Sequence, residues 1–136
     1  MTRSTTLVRV RLADTDARGC VGDSRFLEMF EIARADAVRN RGLPYTTILA
    51  RDVHALTVEA NVSYLEPARE DDLLHVHCWI SELSQVRFTF AYEVRLASDQ
   101  ALSATGTTTH ICLNGQGQPM RIPGWLRTEF EHLRLS

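Results

Sequence analysis

The chain has 136 residues, 15 Lys and Arg against 17 Asp and Glu, a formal net charge of -2 and 44% hydrophobic residues. A single domain over 1–136 can bury a core at that length, and the composition excludes a disordered or collagen-like chain. The charge balance lacks the basic excess of a nucleic-acid binder, and no apolar run approaches the roughly 18 residues that span a bilayer.

Met1–Thr6 lead straight into a charged segment, so no secretory leader is expected and the cytoplasm is the expected setting. Val8, Val10 and Leu12 alternate with Arg9 and Arg11, the period of a strand with one buried face. The polar stretch Ala13–Gly19 reads as a loop. After Gly22 the period changes: Phe26, Phe30, Ala33 and Ala37 recur at helical spacing, flanked by Leu27 and Val38. This predicts one long helix over Ser24–Arg41, with Asp23 or Ser24 as N-cap and Gly42 and Pro44 as the stop.

A short helical turn is expected at Tyr45–Leu49. Four strands follow, with inner faces Leu56, Val58, Ala60, Val62 and Tyr64; Leu74, Val76, Cys78 and Ile80; Phe88, Phe90, Tyr92 and Val94; and a β-branched run over Ala101–Leu113 that Gly106 interrupts as a bulge. Connections at Ser81–Gln85 and Ala97–Gln100 have hairpin length, so the last three strands form an antiparallel meander. Asn114–Pro119 ends the sheet. Pro123 opens a short C-terminal helix carrying Trp125, Leu126, Phe130 and Leu133.

One helix cannot cover both faces of a five-stranded antiparallel sheet, and Leu65, Trp79, Ile111 and Leu113 make the second face partly apolar. A homodimer is therefore expected, with a dimer of dimers as the alternative. Cys20, Cys78 and Cys112 are too few and too dispersed for a disulfide framework or a C-x-x-C site. They read as buried thiols.

The chemistry concentrates in Asp14-Thr15-Asp16-Ala17-Arg18-Gly19-Cys20-Val21, which runs into Gly22-Asp23-Ser24-Arg25-Phe26. Two carboxylates lie between a strand end and a helix start. Helix-start amides suit a developing oxyanion, and a nearby carboxylate can attack a carbonyl or direct water at it. The plainer reading makes Asp14 and Asp16 turn and cap residues.

This loop, the preceding strand, Phe26-Leu27, Phe30-Glu31, Val58-Glu59-Ala60, Tyr64-Leu65-Glu66-Pro67-Ala68-Arg69 and Gly117-Gln118-Pro119 resemble the 4-hydroxybenzoyl-CoA thioesterase family and its Tol-Pal-associated relatives, over nearly the whole chain. The resemblance implies an α+β hot-dog fold: a five-stranded antiparallel sheet wrapped around one long central helix, with a short C-terminal helix. It implies hydrolysis of an acyl-CoA or acyl carrier protein thioester, without metal or cofactor. Asp16 is then nucleophile or general base, and the backbone amide near Asp23 polarises the thioester carbonyl. Asp23-Ser24-Arg25-Phe26 departs from the H-A-N-Y of the Tol-Pal type.

Gly19, Phe26, Glu59, Tyr64, Arg69 and Arg87 are the candidate substrate-binding residues. Gly19 allows close backbone approach, and Phe26 is a core residue that can line an acyl pocket. Glu59 either reaches a partner's loop or makes a structural hydrogen bond. Arg69 and Arg87, with Arg121, suit the coenzyme A phosphates at strand ends or serve as rim charges. Glu31 reads as a surface ion-pair residue. His75 and His77 share a strand face but lack a third convergent ligand. A non-hydrolytic acyl-binding module of the same fold is the alternative function; a hydratase is less favoured, because no His follows Asp16 until His54.

Overall fold

The computed structural model describes residues 3–134. Met1 and Thr2, the head of the segment read as leaderless, lie outside them. In chain order the elements are β1 (Ser4–Arg9), a 3-10 turn (Leu12–Asp14), α1 (Arg25–Arg39), α2 (Tyr45–Ala50), β2 (His54–Tyr64), β3 (Leu73–Leu83), β4 (Arg87–Leu96), β5 (Leu102–Leu113), β6 (Pro119–Met120) and α3 (Gly124–His132). The strands pair antiparallel in the order β1-β3-β4-β5-β2.

The sheet wraps α1, the arrangement expected of a hot-dog fold. Strand alternation does what period two demands: Leu74, Val76, Cys78 and Ile80 of β3 face inward and are fully buried, as are Phe90, Tyr92 and Val94 of β4. Phe30 of α1 stacks on Tyr92 with ring centroids 4.1 Å apart. Ala33 and Ala37 continue the buried stripe of the helix. α3 lays Phe130 against Phe88, centroids 4.4 Å apart.

Five expectations are corrected. Leu12 is exposed, because β1 ends at Arg9 and the 3-10 turn rotates the chain out of strand period. The alternation of β2 does not run through from Leu56 to Tyr64. A register shift between Thr57 and Glu59 inserts Val58 as a bulge, so Thr57 and Ala60 pair with His110 and Thr108, inward-facing neighbours on β5. Gly106 is no bulge: it stays in register, opposite Val62 and Tyr92. Asn114–Pro119 turns the chain into a sixth short strand, with the Asn114 amide donating to the Gln118 carbonyl at 2.9 Å. The long helix also proves shorter than Ser24–Arg41, at 15 residues, with no side-chain cap on its first turn.

Edge strand β2 carries exposed Leu56, Val58 and Tyr64. Cys78 and Cys112 are buried free thiols and Cys20 is half-buried. No helix among the described residues is long and apolar enough to cross a membrane.

Candidate active site

The loop from β1 to α1 is built around its own carboxylates. Asp14 closes the 3-10 turn: its oxygens accept from the Arg11 amide and the Arg11 guanidinium, each at 2.9 Å. Those bonds hold its carboxyl below the usual range, and its carbonyl accepts from the Gly22 amide at 3.0 Å. Asp14 is therefore a buried structural ion, in line with the plainer reading of that residue.

Asp16 opens a tight hairpin. Its amide donates to the Cys20 carbonyl at 2.8 Å and its carbonyl accepts from Gly19 at 3.0 Å. Gly19 sits at φ +77°, a left-handed turn position that favours glycine. The Val21 amide donates to the Ala68 carbonyl at 2.8 Å, tying the hairpin to the segment that leaves β2. Oδ1 of Asp16 accepts from the amides of Arg18 at 2.8 Å and Cys20 at 3.4 Å. Oδ2 accepts from Nε and Nη2 of Arg18 at 3.1 and 2.7 Å. The Arg18 guanidinium, then the Arg18 amide, push the Asp16 pKa down, so the group is a carboxylate at neutral pH.

The turn into α1 is closed by the Arg25 amide donating to the Gly22 carbonyl at 3.0 Å. The Asp23 amide meets no acceptor among the described residues. The Asp23 carbonyl accepts from the Tyr64 hydroxyl at 2.9 Å, so the end of β2 braces the helix start. Phe26 meets the Tyr64 ring edge-on with centroids 5.7 Å apart.

These groups frame a cleft of about 200 Å³, with Arg18, Cys20, Asp23, Phe26, Tyr64 and Pro67 among its walls. Of the predicted residues, the fold brings Asp23, Phe26 and Tyr64 together here. Gly19 shapes the hairpin behind them. Asp16 stands one layer back: Arg18, clamped to its carboxylate, forms that part of the wall. Arg69 lies beside the cleft, bridged through its backbone to Cys20, with its side chain exposed.

Two candidates lie elsewhere within the chain. Glu59 pairs with Thr109 on the outer face and accepts from Asn61 Nδ2 at 3.1 Å. Arg87 pairs with Ile111, whereas Tyr64 at the cleft pairs with Ala104. Seven positions along β5 separate the two, about 23 Å at roughly 3.3 Å per residue, so Arg87 does not reach the cleft of its own subunit. Nor does Glu31 face the cleft; its closest cation is Arg34 at 3.8 Å. His75 and His77 spend a ring nitrogen each on Gln100 and Thr5, at 3.2 and 2.8 Å.

Sequence reasoning missed Arg18 and Cys20 as site residues. The signal for Arg18 is its place two residues after Asp16 in a turn that Gly19 closes, which folds the guanidinium back on the carboxylate.

A family model described as the thioesterase-like superfamily matches residues 10–130. The acyl-CoA thioesterase YbgC of Haemophilus influenzae is 32% identical over 129 residues, 93% of each chain. A 1,4-dihydroxy-2-naphthoyl-CoA hydrolase of Synechocystis is 33% identical over 106 residues, 77% of each chain. The crystal structure of a Synechocystis 1,4-dihydroxy-2-naphthoyl-CoA thioesterase superposes with a TM-score of 0.89 at 28% identity, covering 97% of this chain and 98% of that one.

Proposed function

Since this chain belongs to the thioesterase-like superfamily, we propose that it is a thioester hydrolase that converts an acyl-CoA, or an acyl carrier protein thioester, to free acid and thiol. The observation that carries the reading is a single β1–α1 loop that holds an ionised Asp16 in its hairpin and, among the described residues, leaves the Asp23 amide without an acceptor at the start of α1. Asp16 acts as general base or nucleophile on the thioester carbon. The Asp23 amide, at the electropositive start of α1, stabilises the oxyanion. Phe26 and Tyr64 hold the acyl end, and Arg69 meets the coenzyme A phosphates at the cleft rim. The reaction asks for no metal or cofactor. The working form is a homodimer, or a dimer of dimers, in which a second copy covers the exposed apolar residues of β2.

Release of free thiol from a panel of short, long and aromatic acyl-CoAs, read with a thiol reagent, tests this. Turnover of at least one member is expected. A protein that binds acyl-CoA but releases no thiol belongs to the second reading, an acyl-binding module. That reading is favoured by one observation: the Arg18 clamp occupies the carboxylate that hydrolysis needs.

A further inference from the structure

The Arg18 guanidinium lies in the field of two carboxylates and touches one. Its Nη2 meets Asp16 Oδ2 at 2.7 Å, while the Asp23 charge acts on it from beyond ion-pair distance. Arg18 and Asp23 line the same cleft, and Asp16 does not. Asp23 is exposed, and its carboxylate makes no hydrogen bond or ion pair among the described residues.

The resting clamp works against the chemistry. Oδ1 of Asp16 accepts from the amides of Arg18 and Cys20, and Oδ2 accepts from two guanidinium N–H groups. Oxygens so engaged are weak bases and weak nucleophiles. The Arg18 side chain also stands between Asp16 and the cleft, whose volume of about 200 Å³ is below the roughly 300–1,000 Å³ of small-molecule sites. Asp23 poses the opposite difficulty: a bare carboxylate there opposes the oxyanion that its own amide is to stabilise. Exposed ion pairs are weak, so exchanging one carboxylate partner for another costs Arg18 little.

We propose that Asp23 is a positioning residue: as substrate enters, Arg18 turns from Asp16 to the Asp23 carboxylate. The exchange widens the cleft, frees Oδ2 of Asp16 and neutralises the charge beside the oxyanion. No proton moves, because Arg18 is cationic in both pairings. The inference rests on the hydrolase reading and adds to it a role for the Asp23 side chain, separate from its backbone amide. The other ionisable groups near Arg18 are the Cys20 thiol and, on the segment leaving β2, Glu66 and Arg69.

Steady-state kinetics on octanoyl-CoA and benzoyl-CoA at pH 7, and crystal structures with their non-hydrolysable thioether analogues 2-oxononyl-CoA and phenacyl-CoA, test it. Asp23→Asn should lower kcat about two- to fivefold without raising KM, the size of an exposed ion pair. Asp23→Glu should restore kcat. In an Arg18→Gln background the Asp23→Asn change should leave kcat the same or higher, since no clamp remains to be drawn away. Glu66→Gln, which removes an equal charge from the cleft, should not reproduce the fall. With either analogue bound, Arg18 is expected on Asp23 and Oδ2 of Asp16 uncovered. If no thioester is turned over but Arg18 makes that move, the hydrolase reading fails and the exchange stands. A higher kcat in Asp23→Asn, a change in KM alone, an equal fall in the Arg18→Gln background or with Glu66→Gln, failure of both analogues to bind, or Arg18 still on Asp16 in the bound structures would overturn the proposal.

Discussion

Arg18 donates through Nε and Nη2 to one oxygen of Asp16, at 3.1 and 2.7 Å, and through its amide to the other at 2.8 Å. The clamp fixes the carboxylate's orientation and keeps it ionised. The Arg18 side chain is 72% exposed, so the pairing can open when substrate arrives. Because the guanidinium favours the charged form, its removal raises the Asp16 pKa toward the ordinary carboxylate range. Arg18→Gln is therefore expected to shift the acidic limb of the kcat/KM profile to higher pH. Activity near neutrality persists, since the carboxylate is still ionised there. Thiol release measured from pH 4 to 8 checks this; superimposable limbs would separate Arg18 from the titration.

Asp16→Asn retains the hairpin's size and one amide-accepting oxygen but removes the charge and the base. Loss of a general base or nucleophile costs about 10²–10⁴ in rate. That loss is expected in kcat with an unchanged melting temperature, since this carboxylate lies in an exposed hairpin rather than in the core. Wild-type turnover by this variant on the best substrate would remove Asp16 from the mechanism.

Tyr64 links the end of β2 to the helix start through its hydroxyl on the Asp23 carbonyl at 2.9 Å. Tyr64→Phe retains the edge-on contact with Phe26 and deletes that one bond, worth about 0.5–1.5 kcal/mol. A fall in kcat/KM of roughly two- to tenfold is expected, from a less firmly held Asp23 amide. Steady-state kinetics on one acyl-CoA decide it, and unchanged kinetics would leave the brace with no catalytic consequence.

The fold was legible where one periodicity ran uninterrupted. Leu74 to Ile80 and Phe88 to Val94 alternate without a break, and Phe30, Ala33 and Ala37 mark the buried stripe of α1. It was illegible where a local irregularity resets the face. Val58 continues the apolar alternation of Leu56 and Ala60, so nothing in its identity announces the extra residue in β2. At the site, the loop that carries Asp16 and Asp23 could be read from its acids and glycines. Arg18 could not be assigned, because a guanidinium two residues from a carboxylate pairs with it only if the backbone turns back. Arg87 lies at the other end of the sheet from the cleft of its own subunit, and composition marks a strand end but not which end of the sheet it occupies.

Gly106 illustrates a close approach that the sequence presents as a break. A Cβ built there would run into the Phe30 ring and the Asn61 carbonyl oxygen, well inside van der Waals contact. Gly106→Ala should therefore destabilise the protein by about 1–3 kcal/mol through overpacking. Phe30→Leu removes the ring that the new methyl would meet, so the double variant should lose less than the sum of the two single losses. Urea unfolding of the four proteins tests this; strict additivity would place the strain on Asn61 alone.

His110 links the buried core to pH. It is 2% exposed, and burial pushes its pKa from 6.5 down to about 3. Between those values the unfolded chain carries a proton on this ring that the folded chain refuses. Unfolding therefore takes up a proton, and the stability present above pH 6.5 is lost as the pH falls toward 3. The limiting slope for one such proton is about 1.4 kcal/mol per pH unit. His110→Gln cannot titrate, although it can still offer both an acceptor and a donor to Thr57 and Thr108. Its unfolding free energy from pH 6.5 to 4.5 is expected to fall less steeply than that of the wild type, by close to that slope. Carboxylates common to both proteins cancel in the comparison. Parallel curves would mean that the imidazole is protonated in the fold, paired with an anion that the apolar surroundings of Phe88 and Phe90 do not supply.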